Sequence, residues 1–376
     1  MPPTRPRPNR PPRLPSSRRQ FLRTSAAALS AAALSGCGWT LANVRTQAVP
    51  QGESDRLHIF TWSSYTDQAL LNAFREQTGI EVIADVYDSN EAMLAKLQAG
   101  GGAAYSIIYP SDYMVRRMLE LGLLRELETS RLSGLTELFE QFQDPRYDPG
   151  NRHSVPMSWG TTGLVYNRRK LQTVPEDWRY LWDNQPMLSR RITLLNDMRE
   201  VMGATLRMLG YSYNAEDPAQ LEAAYEELVK LKPAIASFTS DAWRSQIITG
   251  DLLIAMSYSS DAQLVTEENP DLEYLIPQSG SSLWVDTMVI PKSAPNVEAA
   301  YAWLNFMMQP SVLVDLCQRL GFTPPSRAAA DLLPTELRND PGLFPPDQVL
   351  ARCEGIAPVS GAIELYERYW NRLTSG

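Results

Sequence analysis

From residue 57 onward two hydrophobic periods take turns along the chain, and that alternation restricts the fold more than any other feature. "LHIFTW" (57–62) has strand character, and "DQALLNAFREQTG" (67–79) places Leu70, Leu71 and Phe74 at helical spacing before a terminating Gly79. "IEVIADVY" (80–87) reads as a strand, "SNEAMLAKLQAG" (89–100) as a helix capped by Ser89, and "YSIIYPS" (105–111) as a third strand. Strands separated by helices predict an α/β fold with a mostly parallel sheet covered by helices. The same order returns in "RITLLND" (191–197), "PAQLEAAYEELVKLKP" (218–233) and "DLLIAMSYSS" (251–260). Helices are then expected at 296–309, 310–321 and 359–373. More than 300 residues beyond the N-terminal region suffice for two such lobes.

In open α/β sheets a ligand sits beyond the carboxyl ends of the strands. Those ends carry Trp62, Ser63 and Tyr65 after the first strand, Ser111, Asp112 and Tyr113 after the third, then Asp197, Glu200 and Tyr258. Asp197 and Glu200, three residues apart, also suit a helix N-terminus, where a carboxylate caps free amides. "SSLWVDTMVIP" (281–291) is more demanding. Its alternation sets Asp286 in one row with Trp284, Met288 and Ile290, and a carboxylate in an apolar row needs donors or a cation.

The N-terminus bears on compartment. Residues 1–36 contain seven arginines and no acid, and an Ala/Leu run too short to span a bilayer ends at Cys37, the pattern of an export signal. "SRRQFL" resembles a twin-arginine (Tat) signal. "LSGC" resembles the lipobox of bacterial lipoproteins, which makes Cys37 the lipidation site; cleavage just beyond Cys37 is the alternative. A linker follows at 38–54. The whole chain carries a net charge of −8, and loss of the signal takes it to −15. Such a chain is a poor partner for nucleic acid and a natural host for cations. Two further cysteines, Cys317 and Cys353, permit a disulfide that spacing alone does not establish.

Motifs for chemistry are missing. The chain has two histidines, His58 and His153, and none of the G-x-S-x-G, H-E-x-x-H or phosphate-loop patterns; "AGGGAAYS" (99–106) reads as a loop. No cofactor or metal is expected, and the chain is read as a binding protein. Asp197 with Asp286 as a glycosidase pair is the enzymatic alternative.

From about residue 55, "TWSSY", "YDSNEAMLAKLQ", "PSDYMV", "PMSWGTTGLVYN", "NDMREV", "AAYEELVKLKP", "WVDTMVIP" and "LGFTPP" occur in order. The ordered series resembles the substrate-binding proteins of bacterial spermidine/putrescine ABC importers. The resemblance implies a type II periplasmic-binding fold, two α/β lobes joined by crossover hinge segments around a ligand cleft. On that fold, 55–164 and 285–330 form one lobe, and 165–284 and 331–376 the other.

It further implies ammonium-binding carboxylates at Asp197, Glu200 and Asp286 and aromatic walls at Trp62, Tyr65, Tyr113 and Trp284, with hydrogen bonds from Ser63, Ser111 and Ser240. Tyr258 stands where the family often has tryptophan, Phe322 where it often has tyrosine, and Ile356 nearest a glutamine used by some members. The implied partners are a polyamine, the permease and ATPase subunits of an importer, and a membrane through the lipid on Cys37, with the protein periplasmic and monomeric. A methylene chain bearing ammonium groups calls for π-rich walls and fixed carboxylates, together worth a micromolar affinity of about −8 kcal/mol. A sugar or a tyrosine-held ferric ion is the alternative ligand, although three convergent carboxylates suit neither.

Overall fold

A computed structural model describes residues 55–375. The signal, the lipobox, Cys37 and the linker at 38–54 lie outside the described residues.

The first strand–helix–strand unit forms as its periods predict. β1 (Arg56–Trp62) pairs in parallel with β2 (Glu81–Tyr87), and the helix Gln68–Thr78 connects them. Asp67 caps that helix by accepting from the Leu70 amide at 2.8 Å, and Gly79, at φ 75°, ends it in the left-handed conformation glycine tolerates. Ser89 likewise caps the helix Asn90–Gln98, accepting from the Ala92 amide at 3.2 Å. The third strand is shorter than predicted. β3 spans only Ile107–Ile108, because the chain turns at Pro110 and starts the helix Asp112–Glu120.

Two long strands hold the centre. β4 (Ser154–Asn167) is buried along all fourteen residues, and β9 (Ser282–Val289) runs antiparallel to it. β4 continues onto β7 (Ile254–Tyr258), which with β6 (Ile235–Phe238) flanks β5 (Ile192–Leu194) in parallel. The order is β2-β1-β3-β9-β4-β7-β5-β6, with β8 (Leu272–Leu275) on β4 and β10 (Glu354–Gly355) on β9. The expected mostly parallel sheet is therefore parallel on its flanks and, at the centre, only in the short pairing of β10 with β9. β9 is antiparallel to both β3 and β4, and β4 to both β7 and β8, since each long strand passes between the two halves rather than returning through a crossover helix.

Helices cover each half. Val297–Met307 buries Trp303 and Phe306 against Phe74, ring centroids 4.8 and 5.3 Å away. On the other side Pro218–Leu231 and the C-terminal Ile363–Thr374 meet through stacked Tyr225 and Tyr369, 4.8 Å apart. Each such buried side chain contributes about 1.5–3 kcal/mol. Stability rests on this packing and not on a bridge, because Cys317 and Cys353 are free thiols. His153 is bound to Asp148 at 3.1 Å, and the same carboxylate accepts from the His153 and Ser154 amides, so this histidine fixes a turn.

Candidate functional site

The two halves of the sheet bring their strand ends to one cavity of about 70 Å³. Its walls include Trp62, Tyr65, Ser111, Tyr113, Asp197, Glu200, Tyr258, Trp284, Asp286 and Ile356, all named from sequence. Separations of up to 224 residues along the chain vanish here because β1, β3, β5, β7 and β9 end or pass at one place.

β9 supplies one side. Its register puts Trp284 opposite Gly160 of β4 and Asp286 opposite Ser158. A Cβ on Gly160 would lie 2.5 Å from the Trp284 ring, so only glycine lets the indole lie flat against β4. Ser111 bridges to Asp286 through its backbone and donates its hydroxyl to Asp286 Oδ1 at 2.6 Å. That engagement explains why Ser111, at the N-cap position of Asp112–Glu120, makes no side-chain cap. The Tyr65 hydroxyl donates to Asp286 Oδ2. Asp286 is thus only 7% exposed and held by two hydroxyls, with no cation among its partners in the described residues. Burial pushes its acid up to about 6, and the two hydroxyl donors offset part of that rise.

The helix Met198–Met208 supplies the other side. Asp197 is its N-cap, accepting from the Arg199 and Glu200 amides at 2.9 and 3.1 Å, while its second oxygen lies 3.4 Å from the Tyr258 hydroxyl. One carboxylate therefore serves as a helix cap and faces the cavity. Glu200, 2% exposed, accepts from Tyr213 Oη at 2.6 Å and Ser282 Oγ at 2.8 Å. Gly203 makes room for this, since a Cβ there would come within 2.1 Å of the Tyr213 ring. Burial first, and the neighbouring Asp197 charge second, raise the Glu200 acid.

Aromatic rings fill the space between. Tyr258 meets Trp284 edge-on at 5.9 Å, and Trp62 lies 4.5 Å from Tyr87. The indole N–H groups of Trp62 and Trp284 are buried without an acceptor among the described residues. Such walls offer π faces to a cation or a methylene chain.

Three residues singled out from sequence lie off the cavity wall. Ser63 is exposed on the turn after β1, one position before Ser64, which does line the cavity. Ser240 is half-buried, its carbonyl accepting from Trp243 Nε1 at 3.1 Å. Phe322 packs behind Tyr65, ring centroids 4.3 Å apart, and supports that ring from the core.

Other wall residues escaped the sequence reading. Asn90 donates to both Ser111 Oγ and Tyr113 Oη at 3.1 Å and so ties β3's end to the helix Asn90–Gln98. Asp261 is bound by Arg244 at 2.7 Å; burial still pushes its acid up to about 6, with Arg244 acting the other way. Arg199 places one guanidinium among these carboxylates. All three occupy first turns of helices, where polar residues are ordinary, so no periodicity marked them. Among the described residues no group of three or more His, Cys, Asp or Glu side chains converges as metal ligands.

Comparison with known proteins accords with this geometry. Residues 69–345 match the family described as bacterial extracellular solute-binding protein. The spermidine/putrescine-binding periplasmic protein of Salmonella typhimurium is 34% identical over 88% of this chain and 94% of its own. Spermidine/putrescine-binding periplasmic protein 1 of Haemophilus influenzae is 33% identical over 94% and 99%. Among solved structures, the spermidine/putrescine ABC transporter substrate-binding protein of Streptococcus pneumoniae superimposes with a TM-score of 0.70 at 35% identity, covering 84% of this chain and 99% of its own. The Tp0655 lipoprotein of Treponema pallidum gives 0.77 at 28%, covering 86% and 100%. By its matched residues and by these relatives, the chain belongs to the bacterial extracellular solute-binding protein family.

Proposed function

We propose that this chain captures a polyamine of the spermidine/putrescine class and delivers it to the permease and ATPase subunits of an importer. The observation that carries the reading is the pairing of buried carboxylates with indole and phenol walls in one cavity. Asp286, Asp197 and Glu200 have only hydroxyl and amide donors, so each has charge left for an ammonium group. Cation–π contacts contribute about 0.5–2 kcal/mol and charged hydrogen bonds about 1.5–3 kcal/mol each. The names of the relatives, which include spermidine and putrescine, support the same ligand class.

The cycle is capture without chemistry. Residues 55–164 with 285–330, and 165–284 with 331–376, would act as two lobes, with β4 and β9 as crossover segments. A ligand that touches Asp286 and Trp284 on one side and Asp197 and Glu200 on the other favours the closed arrangement by its differential contacts. The periplasmic names of the relatives and the Treponema lipoprotein support a periplasmic site of action with a lipid on Cys37.

Calorimetric titration of the unlipidated protein, residues 38–376, with putrescine, spermidine and spermine tests the reading, with maltose as the neutral control. Saturable one-to-one amine binding is expected. Binding of maltose in place of every amine, by folded and ligand-stripped protein, would transfer the site to sugars.

A further inference from the structure

The amine cavity shares a wall with a second cavity of about 270 Å³, whose lining includes Glu91, Leu94, Met114, Val359 and Glu367. Tyr113 and Arg199 line both. Arg199 is 2% exposed, and its hydrogen bonds go to neutral groups, although its charge also acts on the nearby Glu91, Asp112 and Asp197 and lowers their acids. Nη1 donates to the Ala357 carbonyl and Nη2 to Asn214 Oδ1, each at 2.9 Å, while Nε is buried without a partner among the described residues. The guanidinium carbon lies 5.8 Å from the Tyr113 ring centroid and 5.2 Å from that of Tyr366.

A guanidinium does not lose its proton, so the full positive charge stays at this wall. Its position is fixed from behind, because Asn214 also accepts from the Ala357 amide at 2.8 Å and donates to the Gly355 carbonyl at 2.9 Å. An ammonium group is welcome beside Asp197, Glu200 or Asp286 and is opposed at the Arg199 end. Like charges at close range in a poorly hydrated cleft repel by far more than in bulk water. Repulsion of the wrong ligand is a common source of specificity.

We propose that Arg199 sets the length of the amine that the cleft accepts, closing the way into the second cavity with a fixed positive charge. The inference rests on the polyamine reading above. It assigns Arg199 a role in selectivity: short amines fit between the carboxylates, whereas a longer one must push an ammonium group against the guanidinium. Without that charge, the second cavity offers the longer amine room and the carboxylates Glu91 and Glu367.

The test compares the spermine-to-putrescine affinity ratio, by calorimetry, in the unaltered protein, Arg199→Met and Arg199→Lys. The neutral methionine should raise the ratio tenfold or more, and lysine, which keeps the charge, should leave it within about threefold. A purely structural arginine would weaken all amines together in both variants, leaving the ratio flat, and that result overturns the proposal. Absence of any amine binding to the unaltered protein would instead remove the polyamine reading on which it stands. Should the variants fail to fold, α,ω-diamines of three to eight carbons titrated into the unaltered protein decide the matter. Affinity should fall beyond a limiting length; a steady rise through eight carbons sinks the idea.

Discussion

Asp286 sits in the middle of a strand, whereas Asp197 and Glu200 sit at the start of a helix, and the two placements load the fold differently. On β9 nothing in the backbone needs a carboxylate: the pairing with β4, with its register shift between Pro156 and Ser158, does not use the side chain, and Tyr65 and Ser111 are spent on satisfying it. At the helix start, Asp197 satisfies two amides that would otherwise lack acceptors, and the helix dipole favours its charge. On the proposed polyamine reading, function is an added load on the strand and is merged with structure at the helix. A substitution on the strand should therefore act on binding alone, and one at the helix on binding and stability together.

The strongest way to break that contrast is Asp286→Asn. The variant keeps the shape but removes the charge, and one of the two hydroxyls must turn from donor to acceptor for the new amide nitrogen, so polyamine affinity should fall tenfold or more in a calorimetric titration. Unchanged affinity would take Asp286 out of the site. The ligand-free variant should be as stable as the parent or more so, since it buries no charge.

A pH series sharpens the same point. Burial raises the Asp286 acid to about 6, so below that pH the folded, ligand-free protein takes up a proton there that an ammonium ligand must displace. Affinity should drop about tenfold between pH 7 and pH 5 on this group alone. The linkage sign for stability is the reverse of the usual salt-bridged acid. Between about pH 4 and 6 the folded state holds the proton and the unfolded state does not, so ligand-free stability falls as pH rises through that window. Both slopes should flatten in Asp286→Asn. What survives belongs to Asp112, Asp197, Glu200, Asp261 and Glu91, whose acids burial also raises. A parent whose affinity is flat from pH 7 to pH 5 would refute the raised acidity.

The contrast also accounts for what the sequence disclosed. Asp286 was conspicuous because strands have period two and a carboxylate breaks the apolar row. Asp197 and Glu200 were ambiguous, since capping and binding use the same residue types at the same spacing, and the structure shows that Asp197 caps. Asn90, Asp261 and Arg199 were silent, because polar side chains in a first helical turn are the rule, and only tertiary placement turns them inward. The flanking parallel units followed from alternating periods. The antiparallel centre did not, because "SVPMSWGTTGLVYN" is buried on both faces, and Pro156, Gly160 and Gly163 interrupt any period it has.

The smallest effect is the one that separates cap from ligand contact at Asp197. Alanine removes the acceptor for the Arg199 and Glu200 amides and should cost about 1 kcal/mol of unfolding free energy in a denaturant titration of ligand-free protein. Asparagine caps nearly as well as aspartate and should stay within a few tenths of the parent, yet it has lost the charge that would hold an ammonium group. The two variants should therefore weaken polyamine binding alike while differing in stability. Equal destabilisation by asparagine and alanine would mean that the charge at the helix start, and not the hydrogen bonds to its amides, carries the cap. The helix would then lean on the Asp197 charge as heavily as the ligand does, and protonation of this one group at low pH would loosen both.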